Sequence, residues 1–248
     1  MGLMSENILL MENRAYMYRL LGKIYKEEID ATFYEQLSQM RFFTECEDQE
    51  LAEGYKRFEA FFQKQHLDPI TDLAVDYARV FLGAGTLENT EAAYPYESVY
   101  TSTEHLVMQE ARDKVLAMYR HFGLDRDESL NMPEDQLGLE LEFMAYLCNE
   151  CKQALHEEDY SKAAKFIDTQ TTFLKEHLLN WVPSFCNDVA RCASSDFYLA
   201  IAKMTNGYLT LDQEILHYLT TTILISGRKA EAHAEYIAQE AVSSDTLS

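Results

Sequence analysis

The stretch "PEDQLGLELEFMAYL", residues 133–147, holds the side chains with the most chemical promise. At helical spacing Leu137, Leu141, Met144, Leu147 and Cys148 form one apolar face, widened by Leu139 and Phe143. Glu142 falls on the opposite side, open to water. Glu140 falls inside the apolar arc, three residues after Leu137 and four before Met144. A carboxylate there has two readings, because a buried charge needs a partner. It can pair within the fold, with Arg79 or a tyrosine hydroxyl, or it can wait in a groove for a cation. Glu134 and Asp135 likewise have two readings. Acids at a helix start cap its free N–H groups, and carboxylates can also grip arginine through paired hydrogen bonds.

A second constellation is aromatic. "AYPYESVY" gathers Tyr94, Pro95, Tyr96 and Tyr100, and "DYARVF" adds Tyr77 and Phe81. Such rings suit a peptide-gripping groove, by apolar contact and by stacking on guanidinium groups. The plainer reading is a loop pinned on the core.

Other chemistries find little support. Cys148 and Cys151 form "CNEC", but Cys186 and Cys192 are spaced by six positions and both pairs fall within expected helices, so buried thiols are expected and not zinc. Glu214 and His217 make one Glu-x-x-His pair where a di-iron bundle needs two. The sequence has no GxxxxGK[ST], GxGxxG, GxSxG or HExxH. Neither catalysis nor a metal centre is expected.

The elements that position these residues read as helices. Nine Gly and four Pro in 248 residues leave few breaks. Ser5 is expected to cap a helix to about Glu28, Asp30 one to Met40, and Asp48 one to His66. Asp68 and Pro69 open another that ends at Gly83. Residues 84–100 read as a long loop, and 103–122 as a helix ending at Gly123. Asn131 with Glu134 resembles a capping box into the 133–147 helix. Later helices are expected near 159–178, 183–193, 195–206, 211–226 and 228–241, with a loose tail "SSDTLS". No strand pattern stands out. The expectation is one all-α domain over 1–248, a compact globule of about ten helices with a candidate hinge at 124–132.

Charge narrows the partners. Forty-two acidic against 21 basic residues give −21. Such a surface repels nucleic acid and anionic lipid and attracts a cationic peptide, although solubility alone also favours acidity. No apolar run reaches a membrane span, and the N-terminus does not read as a secretory signal. Five cysteines suit a reducing compartment, so a cytoplasmic location is expected.

"DYARVFLG", "YPYESVY", "PEDQLGLELEFMAYL" and "FLKEHLLNWVPSF", in this order, resemble the TorD/DmsD family of molybdoenzyme maturation chaperones over roughly residues 70–190. The resemblance implies an all-helical, non-catalytic protein of the cytoplasm. It would bind the twin-arginine leader of a molybdopterin-dependent oxidoreductase subunit and hold that subunit for cofactor insertion before export. It also implies a binding site of Tyr77, Phe81, Pro95, Tyr96, Ser98, Tyr100, Glu134, Asp135 and Gln136, to which the helical reading adds Glu140. Asp135 matches a leader-recognising acid. Gln136 departs from the family's usual His, keeping hydrogen bonding without titration. Trp181 matches a residue with a structural role. No cofactor is expected, since a GTP site proposed within the family finds no motif here. Family members exchange helical segments, so a monomer and a domain-swapped dimer are both compatible. The competing reading is a general helical protein–protein adaptor without leader specificity.

Overall fold

The computed structural model describes residues 2–42, 46–85, 92–125 and 131–245, with side chains through Ala232. The expected hinge at 124–132 lies largely outside these residues. The described chain is all-α: α1 Leu3–Lys26, α2 Ala31–Gln39, α3 Gln49–Gln63, α4 Pro69–Leu82, α5 Glu97–Thr101, α6 Glu110–His121, α7 Leu137–His156, α8 Tyr160–Phe173, α9 Val182–Cys192 and α10 Asp196–Asp245. A π-helical turn, Leu174–Leu178, extends α8.

Local chemistry explains most of the starts. Asp30, Asp48, Asp68 and Asp159 each accept a backbone N–H of the first turn they precede. Gly83 closes α4 in the left-handed region, φ 67°. Several expectations are corrected. The first helix begins at Leu3 with no side-chain cap, so Ser5 is not its cap. The loop over 84–100 contains α5, and α6 begins at Glu110 instead of 103. Gln136 caps α7, not an Asn131–Glu134 box. The three helices expected from 195 onward are a single helix of 50 residues, which also takes up the expected tail as far as Asp245. The anticipated break near 207–210 does not occur, although Gly207 is a poor helix former. Its bare backbone lies against the start of α3, where a Cβ would meet Leu51 N at 2.6 Å. Packing favours what propensity opposes.

The longest-range organisation comes from α1 against α7 and α10 against α3, with α8 bridging α7 and α10. A Cβ on Gly22 would come within 2.9 Å of Gly138 O, and one on Gly138 within 2.6 Å of Gly22 O. The two helices therefore cross backbone to backbone, which only glycine allows. This crossing presents the first turn of α7 to the last turn of α1. Deeper in the core, Arg14 Nε and Nη2 donate to the two Asp212 oxygens at 2.6 and 2.8 Å, and Nη1 donates to Gln170 Oε1 at 2.5 Å. Tyr18 Oη donates to Asp212 Oδ2 at 2.6 Å. One fully buried bidentate pair thus fixes α1, α8 and α10 in register.

Candidate functional site

A short antiparallel junction gathers most of the residues singled out from sequence. Tyr96 bridges Gln136; Leu137 N donates to Pro95 O at 2.9 Å, and Glu97 N to Asp135 O at 3.0 Å. The aromatic loop is thereby stitched to the start of α7. Ser98 sits at the centre. Its N–H donates to Asp135 Oδ2 at 2.9 Å, while its Oγ accepts from Gln109 N, the residue ahead of α6, at 3.0 Å. Asp135 therefore organises α5 and α6 as well as α7. Burial pushes its carboxyl above the ordinary range, with the Ser98 donors opposing.

Glu134 is engaged differently, accepting from Arg112 Nε of α6 at 2.6 Å. Gln136 is used at both ends of its amide. Oε1 accepts from Gly138 N and Leu139 N, while Nε2 donates to Tyr25 O at 2.7 Å. Tyr77 Oη donates to the same carbonyl at 3.1 Å. Phe81 packs edge-on against Tyr25 and Tyr77 within the core. Tyr100 stacks near Trp181 and donates to Asp188 Oδ2 at 3.0 Å. Pro95, Ser98, Glu134, Asp135, Gln136 and Glu140 lie together at the junction. Tyr77 and Phe81 stand behind it, and Tyr100 faces α9. Of the ten, only Tyr96 and Tyr100 are partly exposed.

Glu140 does not pair as expected. Arg79 is taken by Asp76 and Ser194 Oγ. Neither Glu140 oxygen has a hydrogen-bond partner among the described residues. Burial, then the charges of Glu97 and Asp135, raise its pKa well above the carboxylate range and so favour its neutral form. Sequence reasoning missed Glu97, which lies inside "YPYESVY" without any spacing signal. Its oxygens accept from His177 Nδ1 at 2.9 Å, within the π-helical turn, and from Asn180 Nδ2 at 3.0 Å, just after it.

Glu97 also forms part of the floor of a cleft of about 690 Å³ between α5, the start of α6 and the π-helical turn. Glu110, Glu176 and Lys114 line it as well. Lys114 pairs with Glu110 at 2.9 Å, and the charges of Glu97 and Glu176 add to that pairing, holding the ammonium above its usual pKa. Between α5 and α6, residues 102–109 expose Leu106, Val107 and Met108 in succession, at 55%, 42% and 58%. Two of the loop's residues take left-handed backbone, His105 at φ 52° and Met108 at φ 60°, a conformation costing roughly 1–2 kcal/mol for such side chains. The expected helix over 103–122 did not anticipate this loop, which ends only where α6 begins at Glu110. Among the described residues no group of three or more His, Cys, Asp or Glu could hold a metal. None of the described helices is long and apolar enough to cross a membrane.

Comparison with known proteins adds to this geometry. The family model described as nitrate reductase delta subunit matches residues 44–187. The chain is 29% identical over 223 residues to "Chaperone protein TorD" of Vibrio cholerae serotype O1 (strain ATCC 39541), covering 88% of this chain and 98% of the relative. It is 28% identical over 214 residues to "Chaperone protein TorD" of Vibrio vulnificus (strain YJ016), covering 83% and 95%. The protein of that name from Photobacterium profundum is 26% identical over 219 residues, covering 86% and 98%.

Proposed function

The chain belongs to the nitrate reductase delta subunit family, and from that premise, with relatives named Chaperone protein TorD, we propose that it is a cytoplasmic chaperone for the catalytic subunit of a molybdopterin-dependent oxidoreductase. It is a chaperone and not an enzyme. Its ligand is the twin-arginine leader of that subunit, held until the cofactor is inserted and export can follow. The observation that carries this reading is the full-length similarity to chaperones of the TorD name, covering 98% of the first relative.

Charge supports it. A net −21 attracts a cationic peptide and steers its approach. Five free thiols suit the reducing compartment in which leader and chaperone would meet.

Calorimetric titration with a synthetic twin-arginine leader and its twin-lysine analogue tests the reading. The expected result is a Kd of about 1 µM or tighter for arginine, weakened by salt, and markedly weaker binding for lysine. Equal binding of both peptides, or of neither, would replace it with the general adaptor.

A further inference from the structure

We infer that Glu140 gives up a proton to solvent when an arginine of the leader docks beside it and Asp135, so that leader binding tightens as pH rises. This inference rests on the leader-binding reading and adds a regulation to it. The geometry that carries it is a group of three buried acids. Glu97 stands at the start of α5, Asp135 ahead of α7 and Glu140 in the first turn of α7, at 2%, 0% and 0% exposure. Asp135 Oδ1 and both Glu140 oxygens are buried with no hydrogen-bond partner among the described residues. An unpaired buried polar atom is costly, and three in one place point to a donor that arrives from outside. That donor is not a metal ion, since no group of three or more His, Cys, Asp or Glu among the described residues could hold one.

The groups around Glu140 supply no positive charge. Glu97 and Asp135 are acids, Tyr119 of α6 is a buried phenol, and Trp181 ahead of α9 spends its indole N–H on His177 O. His177 of the π-helical turn is bonded to Glu97. Cations on the flanking helices are engaged elsewhere: Arg112 with Glu134, Lys114 with Glu110, and Lys26 with Glu142. Burial, then the two neighbouring acids, therefore favour the protonated form of Glu140. A guanidinium reverses that balance. Its planar fork can donate to Asp135 Oδ1 and to Glu140 together, and its charge favours the carboxylate. Neutral acid and free cation become an ion pair, and one proton passes to water. Glu97 belongs to the acid group and also lines the 690 Å³ cleft, so the group borders solvent on that side. Burial, then the charge of Asp135, raise the pKa of the Tyr96 hydroxyl, which places this partly exposed ring close to the same acids.

Calorimetric titration of the full chain with a synthetic twin-arginine leader, at pH 6, 7 and 8 and in buffers of different ionisation enthalpy, counts the protons. Wild type is expected to release up to about one proton per complex, with Kd falling by up to about tenfold per pH unit. Glu140→Gln keeps the shape of the neutral acid and has no proton to lose. It is expected to bind about tenfold more weakly than wild type at pH 8, with most of the proton release and pH dependence gone. Glu214→Gln, at an exposed acid of α10, should keep both. Wild-type binding without proton release, or release undiminished in Glu140→Gln, would overturn the inference and leave the leader reading standing. No wild-type binding would end both. Infrared difference spectra of the wild-type protein need no variant: adding the leader should remove a protonated-carboxyl band. Persistence of that band in the complex would also overturn the inference.

Discussion

The side-chain amide of Gln136 donates to the main-chain carbonyl of Tyr25 at 2.7 Å, joining the first turn of α7 to the last turn of α1. That carbonyl is among the four at a helix end with no partner inside the helix. The same amide caps α7 through its oxygen. One residue therefore satisfies the end of one helix and the start of another. A neutral imidazole also offers one donor and one acceptor, so a His at this place has the groups to make both bonds. We predict that Gln136→His melts within about 2 °C of wild type at pH 8, whereas Gln136→Ala loses ~1–2 kcal/mol. Equal melting of Ala and Gln would show that neither bond matters.

Glu140 should make stability fall with rising pH. Its folded pKa is raised, so between the unfolded value and the folded one the native state keeps a proton that the unfolded state has lost. Stability from this group is full below the unfolded pKa, near 4.3, and declines by up to about 1.4 kcal/mol per pH unit between there and the raised folded value. Glu140→Gln removes the linkage. It is expected to stabilise the protein at pH 7 and to change it by almost nothing at pH 4. Urea melts at the two pH values decide it; a mutant less stable at pH 7 would mean the carboxylate is charged and paired.

Arg14 and Asp212 form a buried pair whose halves cannot be removed singly. Arg14→Met leaves Asp212 uncompensated and should cost about 3–5 kcal/mol. Arg14→Met with Asp212→Leu should recover most of that. A double mutant as unstable as the sum of both singles would indicate that packing, and not charge, dominates there.

Gly138→Ala should prevent the α1–α7 crossing, since the new methyl would lie 2.6 Å from Gly22 O. Several kcal/mol of destabilisation is expected, in the range of severe overpacking. Gly123→Ala serves as a contrast, because nothing lies within 4 Å of its added Cβ and only its left-handed backbone, φ 70°, resists the change. Comparable losses at both positions would argue against the close crossing.

The sequence alone determined what local physics determines. Asp30, Asp48 and Asp68 read as caps because a short carboxylate before a helical run has one good use, and Gly83 as a stop because only glycine sits easily in the left-handed region. The apolar arc of α7 was legible, including the misfit of Glu140, because helical period projects directly onto a face. Tertiary structure decided the rest. Whether Gly207 interrupts α10 depended on α3 lying against it, a contact between residues far apart in the chain. What Asp135, Gln136 and Glu140 do depended on which groups the fold brought to them: a backbone N–H, a helix-end carbonyl, and for Glu140 two further acids and no cation. A side chain's type states what it can bond; only its neighbours in space determine whether that capacity is already spent.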